Sequence, residues 1–125
     1  MKITRASAAP EQPFEADTFS APVTRRDYGP IEAPAGTALL VRFPAGARTH
    51  WHSHPAGQVL FVTDGAGRVG TRDGTVERIA TGDLVYAPPG EEHWHGAAEG
   101  EPVQHLALSF GATEWKEPVE RRPAR

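Results

Sequence analysis

The chain of 125 residues has no cysteine. That excludes disulfides, thiol nucleophiles and thiolate-held zinc or iron–sulfur centres, and leaves imidazole to carry any metal chemistry. No apolar run approaches the roughly 20 residues needed to span a bilayer. The opening Met-Lys-Ile-Thr-Arg-Ala-Ser has no hydrophobic leader segment. These absences predict a cytoplasmic protein with no membrane partner. Neither sign of charge dominates, since 13 basic residues face 16 acidic ones for a formal net charge of -3. A basic footprint for nucleic acid is therefore missing. Also absent is any long stretch with apolar residues at helical spacing, so a helical core is not expected.

Turn-forming residues are abundant instead. They recur at Pro34-Ala-Gly36, Pro44-Ala-Gly46, Asp64-Gly65, Asp73-Gly74, Thr81-Gly82-Asp83 and Pro88-Pro89-Gly90, separating short apolar runs at the spacing of an all-β sandwich or barrel. Strands are expected at 37–43, 58–63, 68–71, 76–79, 83–87 and 103–110, most of them rich in β-branched and aromatic residues. Asp73-Gly74 sits between two of these and predicts a tight hairpin. The length suits one domain, organised as an N-terminal arm over 1–20, a barrel over 21–115 and a C-terminal tail over 116–125.

All six histidines fall between positions 50 and 105. Alternate residues of a strand share a face, so His50, His52 and His54 are expected to project together, as are His93 and His95. In His105-Leu-Ala-Leu-Ser109, the residues His105, Ala107 and Ser109 share one face. Burying several imidazoles without partners costs a few kcal/mol each, and a divalent cation removes that cost. His95 and His105 are candidate proton acceptors, because an imidazole titrates close to working pH. Arg42 and Arg48 are candidates to hold an anion, with plain surface exposure the favoured alternative. Trp51, Trp94 and Phe61 are expected on the outer face, packing between sheets or subunits.

Two longer motifs organise these residues. Gly46 to Gly65 fits GX5HXHX3(E)X6G with Gln58 where Glu is usual, and Gly82 to Ala97 fits GX5PXGX2HX3(N) with Ala97 in the last place. They resemble the paired signatures of the cupin superfamily, which implies an RmlC-like antiparallel jelly-roll barrel with a metal in its mouth. The resemblance makes His52, His54, Gln58 and His93 the ligands and turns Gln58 inward. Three imidazoles and an amide leave a bound cation its full charge, which favours polarising an alcohol or carbonyl oxygen over activating dioxygen. Such a site accepts Mn(II), Fe(II), Co(II), Ni(II) or Zn(II).

Further details, namely His52-Ser-His54-Pro-Ala-Gly-Gln58, His93-Trp-His95-Gly-Ala-Ala98, Gln104-His105-Leu-Ala-Leu108 and Glu114-Trp115-Lys-Glu-Pro118-Val119, are similar to small single-domain bacterial cupins with a His3Gln site. Some of that group are manganese-dependent hydroxynitrile lyases. The resemblance therefore implies a lyase that converts a cyanohydrin to an aldehyde and cyanide, or the reverse. It favours Mn(II) and makes His95 and His105 additional pocket histidines with a catalytic role. The chain departs from the group in His50 and in its ending, Glu120-Arg-Arg-Pro-Ala-Arg125. Competing readings are an Fe(II)-dependent dioxygenase and a non-catalytic metal-dependent module that binds a small molecule. Sheet edges and outward tryptophans in need of cover predict a homodimer or homotetramer, with the N-terminal arm crossing between subunits.

Overall fold

The structure, a computed structural model, describes residues 5–31 and 35–120. The first four residues of the expected arm, Pro34 of the first expected turn and the end of the tail beyond residue 120 lie outside the described residues. Ten strands and one 3-10 turn, Ala6–Ala8, make up the described chain. The strands are β1 (Gln12–Pro13), β2 (Thr24–Ile31), β3 (Gly36–Phe43), β4 (His52–Ser53), β5 (Gln58–Thr71), β6 (Val76–Ala80), β7 (Leu84–Ala87), β8 (His93–Ala97), β9 (Val103–Phe110) and β10 (Glu114–Trp115). Every ladder is antiparallel. The all-β antiparallel architecture is the one expected. Among the described residues no helix is long and apolar enough to cross a membrane.

One strand joins two walls. The first half of β5 pairs with β7 and β9, and β9 continues through β3 and β2 to β1. The second half pairs with β6 and β8, and β8 continues through β4 to β10. Curling the sheet about β5 faces the two walls toward each other. Between them lies an apolar core of Val23, Val41, Phe43, Ala47, Val62, Ile79, Ala97 and Val103.

The expected strands at 58–63 and 68–71 are thus a single strand, which corrects the reading of Asp64-Gly65 as a turn between them. The pair forms an irregularity where the register with β9 shifts between Val62 and Asp64. The Thr81 amide and hydroxyl both donate to the Gly65 carbonyl at 3.2 Å. Gly65 has φ +80°, and a Cβ there would sit 2.1 Å from the Pro102 carbonyl oxygen. Only glycine fits, and the strand bends without ending.

The hairpin at Asp73-Gly74 forms as expected, with Gly74 at φ +90°. The Thr71 amide donates to the Thr75 carbonyl at 3.0 Å, while Asp73 Oδ1 accepts from the Thr71 hydroxyl at 2.6 Å and the Thr75 amide at 2.9 Å.

Both ends of the described chain lie on the barrel. β1 pairs with β2, and Phe19 bridges to Thr49. Phe14 and Phe19 stack 5.0 Å apart, with Phe19 against Phe43 at 5.8 Å. At the other end Trp51 and Glu117 are tied by the Trp51 amide, which donates to the Glu117 carbonyl at 3.0 Å. Arg72 grips the Glu117 carboxylate through two hydrogen bonds of 2.9 and 3.0 Å.

Candidate metal centre and its pocket

His52, His54, Gln58, His93, His95 and His105 are all buried and gather between the two walls. β4 and β8 meet at the single pair His52–His93, which brings their rings to 4.5 Å. His54 lies 5.0 Å from His52 and His95 lies 5.1 Å from it, centroid to centroid. Gln58 opens β5, and Ser109, on the inward face of β9, sits directly opposite in register. His105, two rows along the same face, reaches His95 through a 3.2 Å contact from Nε2 to Nδ1. The structure therefore brings the four expected ligands and both expected proton acceptors into one cluster. Ligand atoms of His52, His93 and His95 all lie within 4.8 Å of one another.

His50 does not join them. β4 spans only two residues, so strand alternation does not carry back to position 50. The His50 carbonyl, rather than its ring, serves the site by accepting from His52 Nδ1 at 2.9 Å. Arg42 and Arg48 are also outside the pocket. Arg42 lies 3.6 Å from Asp64, and Arg48 and Arg68 each place a guanidinium 5.6 Å from the Trp94 ring. Trp94 faces away from the histidines, as expected. Its indole lies on Gly70, where a Cβ would come within 2.2 Å of Nε1.

The hydrogen bonds decide which nitrogens are free. A carbonyl only accepts, so His52 Nδ1 and His93 Nδ1, which lies 3.0 Å from the Glu91 carbonyl, both carry protons. Their Nε2 lone pairs point into the cluster. His54 Nδ1 contacts the Thr113 hydroxyl at 3.2 Å, and His54 Nε2 is buried without a partner. Gln58 Nε2 donates to Ser109 Oγ at 3.0 Å, which aims Oε1 at His93 Nε2, 2.9 Å away. There two lone pairs meet. A cation satisfies both at once; without one, a turned amide, donating to His93 and accepting from Ser109, does so instead. Three imidazole lone pairs and an amide oxygen fit a divalent cation of the mixed N/O class.

Burial also keeps the rings neutral, as ligands must be. Desolvation, with repulsion from His93, lowers His52 to about 3. Desolvation lowers His54 to about 4, again with His93 contributing. His93 is lowered by burial. His95 lies well below the usual value through burial and then the neighbouring rings, His105 first. Burial brings His105 to about 4.

The cluster forms one side of a pocket of about 190 Å³. Phe14, Phe19, Leu39, Val41, Phe43 and Trp115 supply its apolar lining. Phe14, Phe19 and Thr113 were not singled out from sequence. Phe14 and Phe19 stand in a segment whose only signal is two isolated aromatic residues among polar ones.

A fold of this kind, with a buried histidine cluster between its walls that is compatible with a divalent metal, defines a β-barrel of the cupin type. The chain belongs to the cupin family, whose Cupin domain matches residues 39–109. It is 41% identical over 124 residues to a protein named (R)-mandelonitrile lyase from Granulicella tundricola, covering 95% of each chain. A cupin-like protein from Thermotoga maritima superposes with a TM-score of 0.80 at 37% identity, covering 86% of each chain. A putative acetylacetone dioxygenase from Methylibium petroleiphilum shares the fold, with a TM-score of 0.76 at 14% identity over 96% of this chain and 86% of that one.

Proposed function

We propose that this protein is a metal-dependent lyase that cleaves a small cyanohydrin into an aldehyde and cyanide and catalyses the reverse addition. The observation that carries the reading is the buried His-Gln cluster opening onto an apolar pocket, with the hydrogen-bonded pair His95–His105 beside it. Its similarity to the Granulicella protein supports the same reaction class.

His52, His54, Gln58 and His93 would hold the cation, with Mn(II) favoured. When bound, it supplies a Lewis acid that draws electron density from an alcohol or carbonyl oxygen. The remaining work falls to the chain's own groups. His95 takes the proton of the substrate hydroxyl at Nε2 while its Nδ1–H donates to His105 Nε2, which fixes the tautomer and spreads the positive charge over two rings. As the oxygen loses its proton the carbonyl double bond forms, the carbon–cyanide bond breaks, and its electron pair leaves with cyanide. The proton then passes from His95 Nε2 to cyanide and restores the neutral pair. Phe14, Phe19, Leu39 and Trp115 bind the substrate's apolar group and exclude water.

Protein purified without a chelating column should contain a stoichiometric divalent metal and release benzaldehyde from mandelonitrile, with no oxygen consumed. Metal-dependent oxygen uptake without cleavage would replace the lyase by a dioxygenase. Metal with neither activity would leave a binding module.

A further inference from the structure

Arg72 follows the last residue of β5 and lies outside the pocket, yet its guanidinium meets three separate parts of the chain. Nε donates to Glu92 Oε1 at 2.8 Å. Nη1 and Nη2 donate to the two oxygens of Glu117 at 2.9 and 3.0 Å. The guanidinium carbon also stands 4.1 Å from the centre of the Trp51 ring.

Two of those partners adjoin expected metal ligands in the same way. His52 donates from Nδ1 to the His50 carbonyl at 2.9 Å, and His93 donates from Nδ1 to the Glu91 carbonyl at 3.0 Å. Each imidazole is thus aimed by the carbonyl two residues before it. The residue in between, Trp51 in one case and Glu92 in the other, is the one that Arg72 holds. The third partner ties in the pocket wall. Glu117 accepts from the Trp51 amide at 3.0 Å through its carbonyl, the Lys116 amide donates to the Trp51 carbonyl at 2.9 Å, and Trp115 lies 4.7 Å from the His52 ring.

The sheet alone supplies little of this order. β4 has two residues and meets β8 only at His52–His93, so one registered pair joins the two ligand-bearing strands. A lone exposed ion pair would add little. A planar fork that engages two carboxylates and an aromatic ring at once fixes their relative positions.

We propose that Arg72 is a positioning residue for the metal centre, a clamp outside the pocket that sets the segments 50–52 and 91–93 at the separation a shared cation needs. It acts through Trp51 and Glu92, and the proposal rests on the reading of His52 and His93 as ligands.

The test is Mn(II) titration of the full chain, read from the electron paramagnetic resonance signal of the free ion, beside amide hydrogen exchange of the metal-free protein. Arg72→Ala should weaken Mn(II) binding about 10-fold, the lower end of what losing a ligand's outer support costs. Arg72→Lys keeps the charge but lacks the fork. It should restore only a small part of the loss, and the spectrum of the ion it still binds should differ from that of the wild type. Arg78→Ala, which removes an exposed pair with Glu101 on β6, should bind Mn(II) as the wild type does. Without metal, Arg72→Ala should speed exchange of the Trp51 and Lys116 amides, and Arg78→Ala should not. Wild-type affinity in Arg72→Ala, or full rescue by lysine, overturns the proposal. Should Arg72→Ala fail to fold, Glu117→Gln, which removes the fork's charged acceptor, decides by the same two measurements: weaker Mn(II) binding with faster exchange supports the clamp, and wild-type values overturn it. A wild type that binds no Mn(II) refutes the metal reading instead, and the clamp then stands or falls on the exchange of those two amides.

Discussion

Freed of metal, this protein should lose stability steeply as pH falls below about 6.5, because its buried histidines must be neutral to stay folded. An unfolded histidine titrates near 6.5. Burial holds His105 neutral in the fold down to about 4, and burial with repulsion from His93 holds His52 neutral down to about 3. Both folded values lie below the unfolded one, so as pH drops the unfolded chain binds protons first. Stability present above pH 6.5 is therefore lost on acidification, and the loss is complete only once the folded values are passed. Each histidine costs about 1.4 kcal/mol per pH unit in that window. Between 6.5 and 4, His105 alone removes about 3 kcal/mol and His52 a similar amount, against the roughly 5–15 kcal/mol a domain has. His54, His93 and His95 shift in the same direction, though rings this close titrate as a coupled set and do not add.

The assay is urea unfolding of chelator-treated protein, followed by tryptophan fluorescence, at pH steps from about 7.5 down to about 5. Carboxylates do not confuse this range. Glu117, lowered to about 2 by its hydrogen bonds to Arg72, begins to cost stability only below its unfolded value near 4.5. The expected result is a plateau above about pH 7 and then a fall whose slope corresponds to two or more protons. Loaded protein should fall later, since protons must first displace the cation from His52, His54 and His93. A metal-free protein whose stability stays flat across the whole range would refute the neutral buried cluster.

His52→Ala, His54→Ala and His93→Ala should each empty or severely weaken the metal site by elemental analysis, and Gln58→Ala should do less; full metal content in the histidine variants would remove them as ligands. Gln58→Glu should retain metal while activity falls, because a carboxylate offsets the charge that polarises the substrate oxygen; unchanged turnover with metal retained would contradict that account. His95→Ala and His105→Ala should keep metal content near normal and lower turnover by about 100- to 10,000-fold. Full activity in both would leave the cation acting without a histidine base.

Regular alternation made part of the fold legible before any coordinates. β9 reads as a perfect inward-outward series, and its observed burial follows it residue by residue. The paired turn residues at Asp73-Gly74 likewise form the expected hairpin. β2 carried no such signal. Its sequence, Thr-Arg-Arg-Asp-Tyr-Gly-Pro-Ile, is polar, and it is a strand because β3 offers it a ladder of six registered pairs. The misreading of Asp64-Gly65 has the opposite cause. The local chemistry of a turn is present, but the Thr81 clamp and the Pro102 carbonyl, both distant in sequence, convert it into a bend. Propensity loses to tertiary context wherever the deciding partner lies outside the local window.

The site divides along the same line. Its histidines were legible because their spacing is short and periodic, and burial of five such groups together demands a common partner. The surroundings that tune them were not. Thr113 is 59 residues from the imidazole it contacts, and Phe14 and Phe19 reach the pocket only because β1 and the Phe19–Thr49 bridge fold the N-terminal segment back over the barrel. This division assigns roles. A cluster written into local spacing is shared by every chain with the motif, whereas a wall borrowed from a remote segment belongs to this chain's own folding, so preference among substrates should reside in Phe14 and Phe19 rather than in the histidines.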